Sequence, residues 1–171
     1  ANNGSDLLVA AVNAATRLGK RIELRTFLEG VLDESRKIAP SPRGFIAALR
    51  KRRWQSLADI DMGPTEDWLP QQQVLGALAQ ECLDRGVAIR SGTAAWEAWI
   101  HNHPQESSVR GRSLLAIPFC AEGVLSIALV LERPTAGNPF QEQDVAEVIR
   151  LLSMVKGQMR ALAENAQLLE Y

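Results

Sequence analysis

A heptad pattern near the C-terminus constrains the fold more than any other feature of the sequence. Apolar residues recur at alternating spacings of three and four from residue 145 to residue 169, which predicts one long amphipathic helix. The apolar stripe is wide in the first half and narrow after Val155. A wide stripe is typical of a helix packed on a sheet, whereas a narrow one suits another helix. The first half is therefore predicted to be core, and residues 155–171 a coiled-coil extension.

This extension is predicted to pair with a second copy of the chain. Residues 1–21 are predicted to form a connector helix that also contributes, so the homodimer forms through the terminal helices. The residues assigned to the interface are Val155, Met159, Leu162, Ala166, Leu169, Leu8, Ala11 and Ala15. The alternative is a helix pair within one chain, and the sequence leaves parallel and antiparallel dimers open.

Two apolar runs before the long helix predict a β-hairpin. They span residues 114–120 and 124–131, and Gly123 between them can take the positive φ of a tight turn. Both runs are almost continuously apolar, so both faces of the sheet should be covered. In the second run, bulky residues on one face alternate with Ser126 and Ala128 on the other. A closely packed helix or a ligand can fill that space, and the helix is favoured. Pro118 predicts a sheet edge or a bulge.

The rest of the chain alternates between helix and strand signals. The predicted elements are a helix over 22–38, strands over 44–49 and 54–60, a helix over 70–85, a strand over 87–90 and a short helix capped by Thr93. Four consecutive basic residues, 50–53, lie between the first two strands. They contain no aromatic residue, so a solvated hairpin tip is favoured over a phosphate or nucleic-acid site.

Composition indicates one domain with a core of its own, because 46% of the 171 residues are hydrophobic. The net charge of -1 gives no general attraction to nucleic acid or membrane. Cys82 and Cys120 lie in apolar contexts and are predicted to be buried thiols in a reducing compartment. No apolar run is long enough to span a membrane. A cytoplasmic location is expected, including the cytoplasmic part of a membrane-anchored parent. The start at Ala1 favours a fragment of a longer protein.

Several segments, in this order and spacing, resemble a known family. They are the strand Arg112–Pro118, the strand Gly123–Ile127, the opening Phe140-Gln-Glu-Gln-Asp144, the helix end 163–168 and the segment Gly86–Ile89 before a Trp-rich helix. The chain resembles a GAF domain, a relative of the PAS fold, over roughly residues 24–169, and the domain is predicted to span residues 22–171. The resemblance implies an α+β fold with a central antiparallel sheet of five or six strands. It places the N- and C-terminal helices on one face, and short helices and loops over a small-molecule pocket on the other.

The resemblance also implies a function. GAF domains are typically sensory or regulatory modules of bacterial-type signalling or transcription-regulatory proteins, fused to an output domain. A bound ligand would bias a two-state helical output through the dimer interface. No direct contact with nucleic acid and no membrane insertion are expected of this segment. The alternative is a ligand-free dimerisation or protein-interaction scaffold whose pocket is filled by its own tryptophans.

Seven residues are predicted to line the pocket: Trp96, Trp99, Arg90, His101, Arg112, Ser126 and Ala128. The two tryptophans share a helix face and can stack a planar ring, or they can simply cap the core. The arginines can meet an anionic ligand group, with solvated strand ends as the alternative. His101 and His103 lack a third ligand nearby in sequence, so a metal site is not expected.

The sequence differs from the cyclic-nucleotide-binding and bilin-binding GAF domains, which argues against those ligands but identifies no other. Cyclic-nucleotide binders carry an Asn-Lys pair before the Phe-x-x-x-Asp-Glu pattern, whereas this chain has Asn138-Pro139, and Val145 in place of the Glu. Neither cysteine has the neighbouring histidine of bilin-binding members. No catalytic constellation is present in the sequence, so an enzyme is not expected. A cysteine-based methionine sulfoxide reductase is the least favoured alternative. The cofactor is unknown.

Overall fold

The computed structural model describes residues 24–50, 52–63, 74–103, 111–121, 125–135 and 137–169, with only the backbone described for residues 50, 120, 121, 125 and 163–169. Over these ranges the elements are α1 (Leu24–Ile38), β1 (Arg43–Arg50), β2 (Arg53–Ile60), α2 (Val74–Arg85), β3 (Ile89–Arg90), α3 (Ala94–His101), β4 (Ser113–Ala121), β5 (Leu125–Arg133) and α4 (Glu142–Leu169). The predicted connector helix, with Leu8, Ala11 and Ala15, lies outside the described residues.

The five strands form one antiparallel sheet in the order β2-β1-β5-β4-β3, which confirms the predicted α+β fold. The basic stretch is the tip of the β1–β2 hairpin, where Arg50 is opposite Arg53 and Arg52 has a φ of 64°. A bulge interrupts this hairpin, because Ile46 is opposite Ala58 but Ala47 is opposite Ser56. The predicted order of the elements along the chain is also observed.

The two faces of the sheet carry separate cores. The bulky face of β5, with Ile127, Leu129 and Leu131, packs with the terminal helices α1 and α4. The small face, with Ala128 and Val130, packs with α2 and α3. Because successive side chains of a strand point to opposite faces, one alternating run builds both cores. The space predicted beside Ala128 is therefore filled by a helix, as favoured.

The position of Pro118 follows from the short length of β3. Only Ala116 and Leu115 of β4 pair with β3, so among the described residues no strand pairs with this edge of β4 from Ile117 onwards. On its other side Pro118 is opposite Ala128 in a regular ladder with β5. A residue without an N–H group is tolerated at such an edge. The predicted edge is observed, and the β4–β5 pairing contains no bulge at this point.

Helix α4 is longer than the sheet that it crosses. Its 28 residues extend about 42 Å, whereas the nine residues of β5 extend about 30 Å. Val155 and Met159, which were assigned to a dimer interface, are completely buried in the core shared by α1, α4 and the sheet. Leu162 is half-buried against the same core. The heptad seam is therefore intramolecular as far as Met159.

Candidate functional site

The Trp-rich helix α3 lies inside the core on the α2–α3 face. Its N-cap is Thr93, whose hydroxyl oxygen accepts a hydrogen bond from the Trp96 N–H at 3.2 Å. Trp96 and Trp99 are both buried, with ring centroids 5.6 Å apart and planes tilted by 40°. The Trp99 ring also stacks on His103, at 4.7 Å between centroids. These rings pack against each other and against the sheet, which is the core-capping role that the sequence left open.

Arg90 connects the α2–α3 face to the beginning of α4. Its backbone carbonyl accepts a hydrogen bond from the Thr93 hydroxyl at 2.8 Å, next to the start of α3. Its guanidinium Nη1 donates to the carbonyl of Phe140 at 3.0 Å. Phe140 belongs to the core of the opposite face and lies two residues before α4. Arg90 thus links the N-terminus of α3, through its backbone carbonyl, to the residues before α4, through its guanidinium.

A second arginine, Arg133 at the end of β5, places its guanidinium over the Phe140 ring. The guanidinium carbon of this buried residue lies 4.1 Å from the ring centroid. Its Nε donates to the Pro40 carbonyl at 2.8 Å, just after α1. Its Nη1 donates to the carbonyls of Asn138 and Pro139 at 3.3 and 3.2 Å. One side chain therefore joins the end of α1, the end of β5 and the loop before α4.

The first turn of α4 shows what the Phe-x-x-x-Asp pattern does. The backbone N–H of Gln141 donates to Asp144 Oδ2 at 2.8 Å, which satisfies one of the free donors at the helix start. The same carboxylate lies 3.7 Å from Arg133 Nη2. The cation beside Asp144 is therefore Arg133, from the end of β5.

A buried ion cluster lies on the α2–α3 side of the sheet, at the end of β5. Glu132 is only 2% exposed, and its Oε1 accepts a hydrogen bond from Arg112 Nη1 at 2.6 Å. Arg43, directly opposite Glu132 in the sheet, places Nη1 3.7 Å from the same oxygen. Within the described ranges, Glu132 Oε2 and Arg43 Nε are buried without a hydrogen-bond partner.

The predicted pocket residues are only partly brought together. Trp96, Trp99 and Ala128 share one core, and Ser126 is half-buried on the same face of β5. Arg112 belongs to the ion cluster, Arg90 is bound to Phe140, and His101 is exposed at the end of α3. Sequence reasoning did not select Glu132, Arg43 or Arg133. The signal was present, because two charged residues follow directly on an apolar strand that has to be buried.

An open groove of about 410 Å³ lies on the face of the terminal helices, between α4 and the edge of β4 at Ile117–Phe119. Val87 and Ile149 expose apolar side chains along it, and Lys156 is at its rim.

Cys82 is fully buried in α2, with Sγ 3.2 Å from the Ala79 carbonyl. Among the residues that the structure describes, no three His, Cys, Asp or Glu side chains are grouped to hold a metal. No helix in the same residues is long and apolar enough to cross a membrane.

The architecture defines a class of protein. It is an α+β domain with an antiparallel sheet in the order β2-β1-β5-β4-β3, terminal helices on one face and shorter helices on the other. No protein-family model matches the sequence, and no curated protein sequence matches it. Solved structures do match the fold, and they identify it more narrowly.

The GAF domain of an Acinetobacter phosphoenolpyruvate-protein phosphotransferase has a TM-score of 0.67 at 14% identity, over 95% of this chain and 93% of that one. A phycoerythrobilin-bound GAF domain from a cyanobacterial phytochrome has a TM-score of 0.60 at 16% identity, over 98% of both chains. A GAF domain/HD domain protein from Geobacter sulfurreducens has a TM-score of 0.58 at 13% identity, over 88% of this chain and 98% of that one. The chain has the GAF fold, as the sequence resemblance indicated.

Proposed function

We propose that this chain is a sensory or regulatory domain of a signalling or transcription-regulatory protein. A small ligand binds on the α2–α3 face and changes how the start of α4 is held, and α4 passes that change to a fused output domain. The observation that carries the proposal is the double hold on Phe140. Arg90, whose own carbonyl is bonded to the N-cap residue of α3, donates to the Phe140 carbonyl, and Arg133 covers the Phe140 ring from the end of β5.

In this proposal, the hydrogen bond from Arg90 to the Phe140 carbonyl is the two-state element that the ligand biases. A ligand shifts such an equilibrium only by its difference in affinity for the two states. Movement of β3 or α3 acts on Arg90 directly, because Thr93 joins the Arg90 carbonyl to the N-terminus of α3. When the hydrogen bond from Arg90 to the Phe140 carbonyl forms or breaks, the position of the first turn of α4 changes. The two states differ in one described hydrogen bond at a helix start.

The output side of the proposal is a homodimer formed by the last turns of α4. Because Val155 and Met159 are buried inside the chain, the pairing surface begins at Leu162 and continues through Ala166 and Leu169. The connector helix, with Leu8, Ala11 and Ala15, packs beside it. The protein works in the cytoplasm, without direct contact with nucleic acid and without membrane insertion by this segment.

A ligand-free scaffold is the second candidate, and one observation favours it. Trp96, Trp99 and the buried side of α2 fill the space over Ala128. A domain packed in this way can serve for dimerisation or protein interaction alone. The two candidates differ in whether any small molecule binds.

Thermal unfolding against a small-molecule panel separates these candidates. The panel contains cyclic mono- and dinucleotides, purines, amino acids, 2-oxo acids and haem. A ligand at 100 times its Kd adds about 2.7 kcal/mol to the stability, or roughly 5 to 10 °C for a chain of this size. A shift with one chemical class supports sensing. A flat response across the panel, with the dimer intact, supports the scaffold.

Hydrogen exchange of α4 then tests the relay through Phe140. In the wild-type chain, the ligand found in the panel should change the protection of the first turn of α4. In Arg90→Met the ligand should still bind, but that change in protection should be lost. Arg85→Met is the matched control, because Arg85 forms an exposed pair with Glu81 on α2. An unchanged response in Arg90→Met would remove Arg90 from the relay.

A further inference from the structure

Glu132 combines deep burial with an unused hydrogen-bonding atom. A carboxylate has two oxygens and about four acceptor positions. The described partners of Glu132 all meet Oε1, where Arg112 and Arg43 approach at 2.6 and 3.7 Å. Oε2 is buried without a partner in the described part of the chain. An unpartnered buried acceptor on a charged group destabilises a fold, so this atom calls for an explanation.

Arg43 presents the complementary atom in the same cluster. It lies directly opposite Glu132 in the β1–β5 ladder, and its Nε is buried without a partner among the described residues. The cluster therefore contains an unused anionic acceptor and an unused cationic donor on paired residues. Its three members, two arginines and one glutamate, sum to a net charge of +1.

The cluster faces the proposed sensing side. Glu132 continues the alternation of Ala128 and Val130 along β5, and both of those residues pack on the α2–α3 side. Its neighbour on β4 is Leu114, a member of the same core. The Arg43 and Arg112 side chains are 39% and 28% exposed, so they form the rim between solvent and the Glu132 carboxylate.

We infer that Glu132 and Arg43 anchor a small zwitterion, a molecule with an ammonium and a carboxylate a few bonds apart, as in an α-amino acid. Its ammonium donates to Glu132 Oε2, and its carboxylate accepts from Arg43 Nε. This inference rests on the proposed sensory function and names the class of ligand. The bound molecule is neutral overall, so it satisfies both atoms without changing the net charge of the buried cluster.

Other occupants match the two atoms less well. A simple amine leaves Arg43 Nε unpaired and raises the charge of the cluster, whereas a simple carboxylate leaves Glu132 Oε2 unpaired. An amide or the edge of a nucleobase meets both atoms, but with a neutral partner at each. A neutral partner forms only the charge-assisted hydrogen bond, whereas an ammonium beside Oε2 and a carboxylate beside Nε each add the attraction between opposite charges, which is strong where water is excluded. A single bridging water is the remaining occupant, and it binds no signal.

The test is thermal unfolding of the purified chain with each of the twenty protein amino acids, followed by calorimetric titration of any that raise Tm. A saturating amino acid should raise Tm by roughly 5 to 10 °C. The matched compounds that lack one group, such as ethylamine and propionate for alanine, should give less than about a tenth of that shift, because each leaves one buried atom unpaired.

Two variants then locate the site. Glu132→Gln and Arg43→Gln should each abolish the amino-acid shift, while Glu81→Gln, in the exposed pair on α2, should retain it. If Glu132→Gln does not fold, Arg43→Gln decides the matter, because Arg43 is partly exposed and can be replaced without burying a new charge. An unchanged shift in the folded variants would overturn the assignment.

The outcomes separate this inference from the function on which it rests. A shift with another class of the panel and none with amino acids leaves the sensory proposal standing but overturns the zwitterion. A flat response to every compound overturns both and leaves a bridging water as the only occupant. An equal shift with alanine and with its amine or acid would also overturn the zwitterion, since one group would then suffice.

Discussion

The guanidinium carbon of Arg133 lies 4.1 Å from the centre of the Phe140 ring, and Phe140 is two residues before the start of α4. Both residues are buried, and the arginine also binds three backbone carbonyls. Because the ring lies in the core under α1 and α4, its contact with Arg133 orients the start of α4 relative to the sheet. The Phe-x-x-x-Asp pattern is thus explained by packing and capping in this chain.

Replacement of Arg133 by methionine should lower the free energy of unfolding by about 2–4 kcal/mol. The variant keeps an apolar side chain of similar length but leaves the carbonyls of Pro40, Asn138 and Pro139 without their donor. Urea unfolding measures the difference. Arg85→Met, which breaks one exposed helical pair, should cost less than about 0.5 kcal/mol. Equal effects of the two substitutions would contradict the role given to Arg133.

Two glycine substitutions should change stability in opposite directions. A Cβ at Gly44 would lie 2.8 Å from the Val130 carbonyl oxygen and 3.0 Å from Leu131 Cδ2. Gly44→Ala should therefore destabilise the chain by about 1–3 kcal/mol. Gly157 lies within α4, with nothing within 4 Å of its Cβ position, so Gly157→Ala should stabilise by about 0.5–1 kcal/mol. Thermal unfolding gives both values, and a stabilising Gly44→Ala would refute the close approach of β1 and β5.

Asp33 on α1 should make a small, pH-dependent contribution. Hydrogen bonds from Lys37 and then Arg36 lower the pKa of the Asp33 carboxyl from its ordinary value of 3.8. A lowered pKa in the folded chain means that the stabilisation is present above about pH 4 and is lost as the pH falls through the folded pKa. Because the side chain is 42% exposed, Asp33→Asn should cost only about 0.5 kcal/mol at pH 7. The difference should vanish in urea unfolding near pH 2; a constant difference would exclude the linkage.

Removal of the last turns of α4 tests the dimer. A chain ending after Leu162 keeps Met159, the last fully buried residue described on α4, and should fold as a monomer. A chain ending after Val155 loses Met159 as well and should be less stable by about 2–5 kcal/mol, the usual cost of an emptied core position. Size-exclusion chromatography with light scattering reports the mass. A dimer that persists in the longer truncation would place the interface elsewhere.

Cys82 should be chemically silent in the native chain. Its thiol is fully buried and lies 3.2 Å from the Ala79 carbonyl. In a Cys120→Ser variant, a thiol reagent should react only as fast as the protein unfolds, because a buried thiol is not accessible as a thiolate. Rapid labelling at neutral pH would instead favour the cysteine-based reductase. The wild-type rate measured in parallel then gives the reactivity of Cys120.

The helices and strands of this chain were predictable because their signals are local. The heptad spacing of α4, the alternation of bulky and small residues in β5 and the Thr93 cap each depend on neighbouring residues alone. Pro118 predicted an edge or a bulge, because a missing N–H is tolerated at either, and the edge was observed. These features led to the correct fold.

The contacts of individual side chains were decided by tertiary structure. Trp96 and Trp99 have the spacing of a stacking site, but the close packing of α2 on the small face of β5 left them in the core. Val155 and Met159 have the spacing of a dimer seam, but α1 covers them first. A periodic pattern indicates which residues must be buried from solvent, but it does not indicate whether the same chain or a second copy buries them.

The α+β class, the order of the elements, the two-sided sheet and the long final helix all follow from patterns within the sequence. The contacts of Arg90 and Arg133 with Phe140, and the burial of Glu132 beside Arg43 with one oxygen unpartnered among the described residues, depend on how the elements pack. The difference lies in the separation along the chain over which each interaction acts. Periodicity and capping act over a few residues, whereas these contacts join residues 7 to 89 positions apart, such as Arg133 with Phe140 and Arg43 with Glu132. The register of the whole sheet sets such contacts.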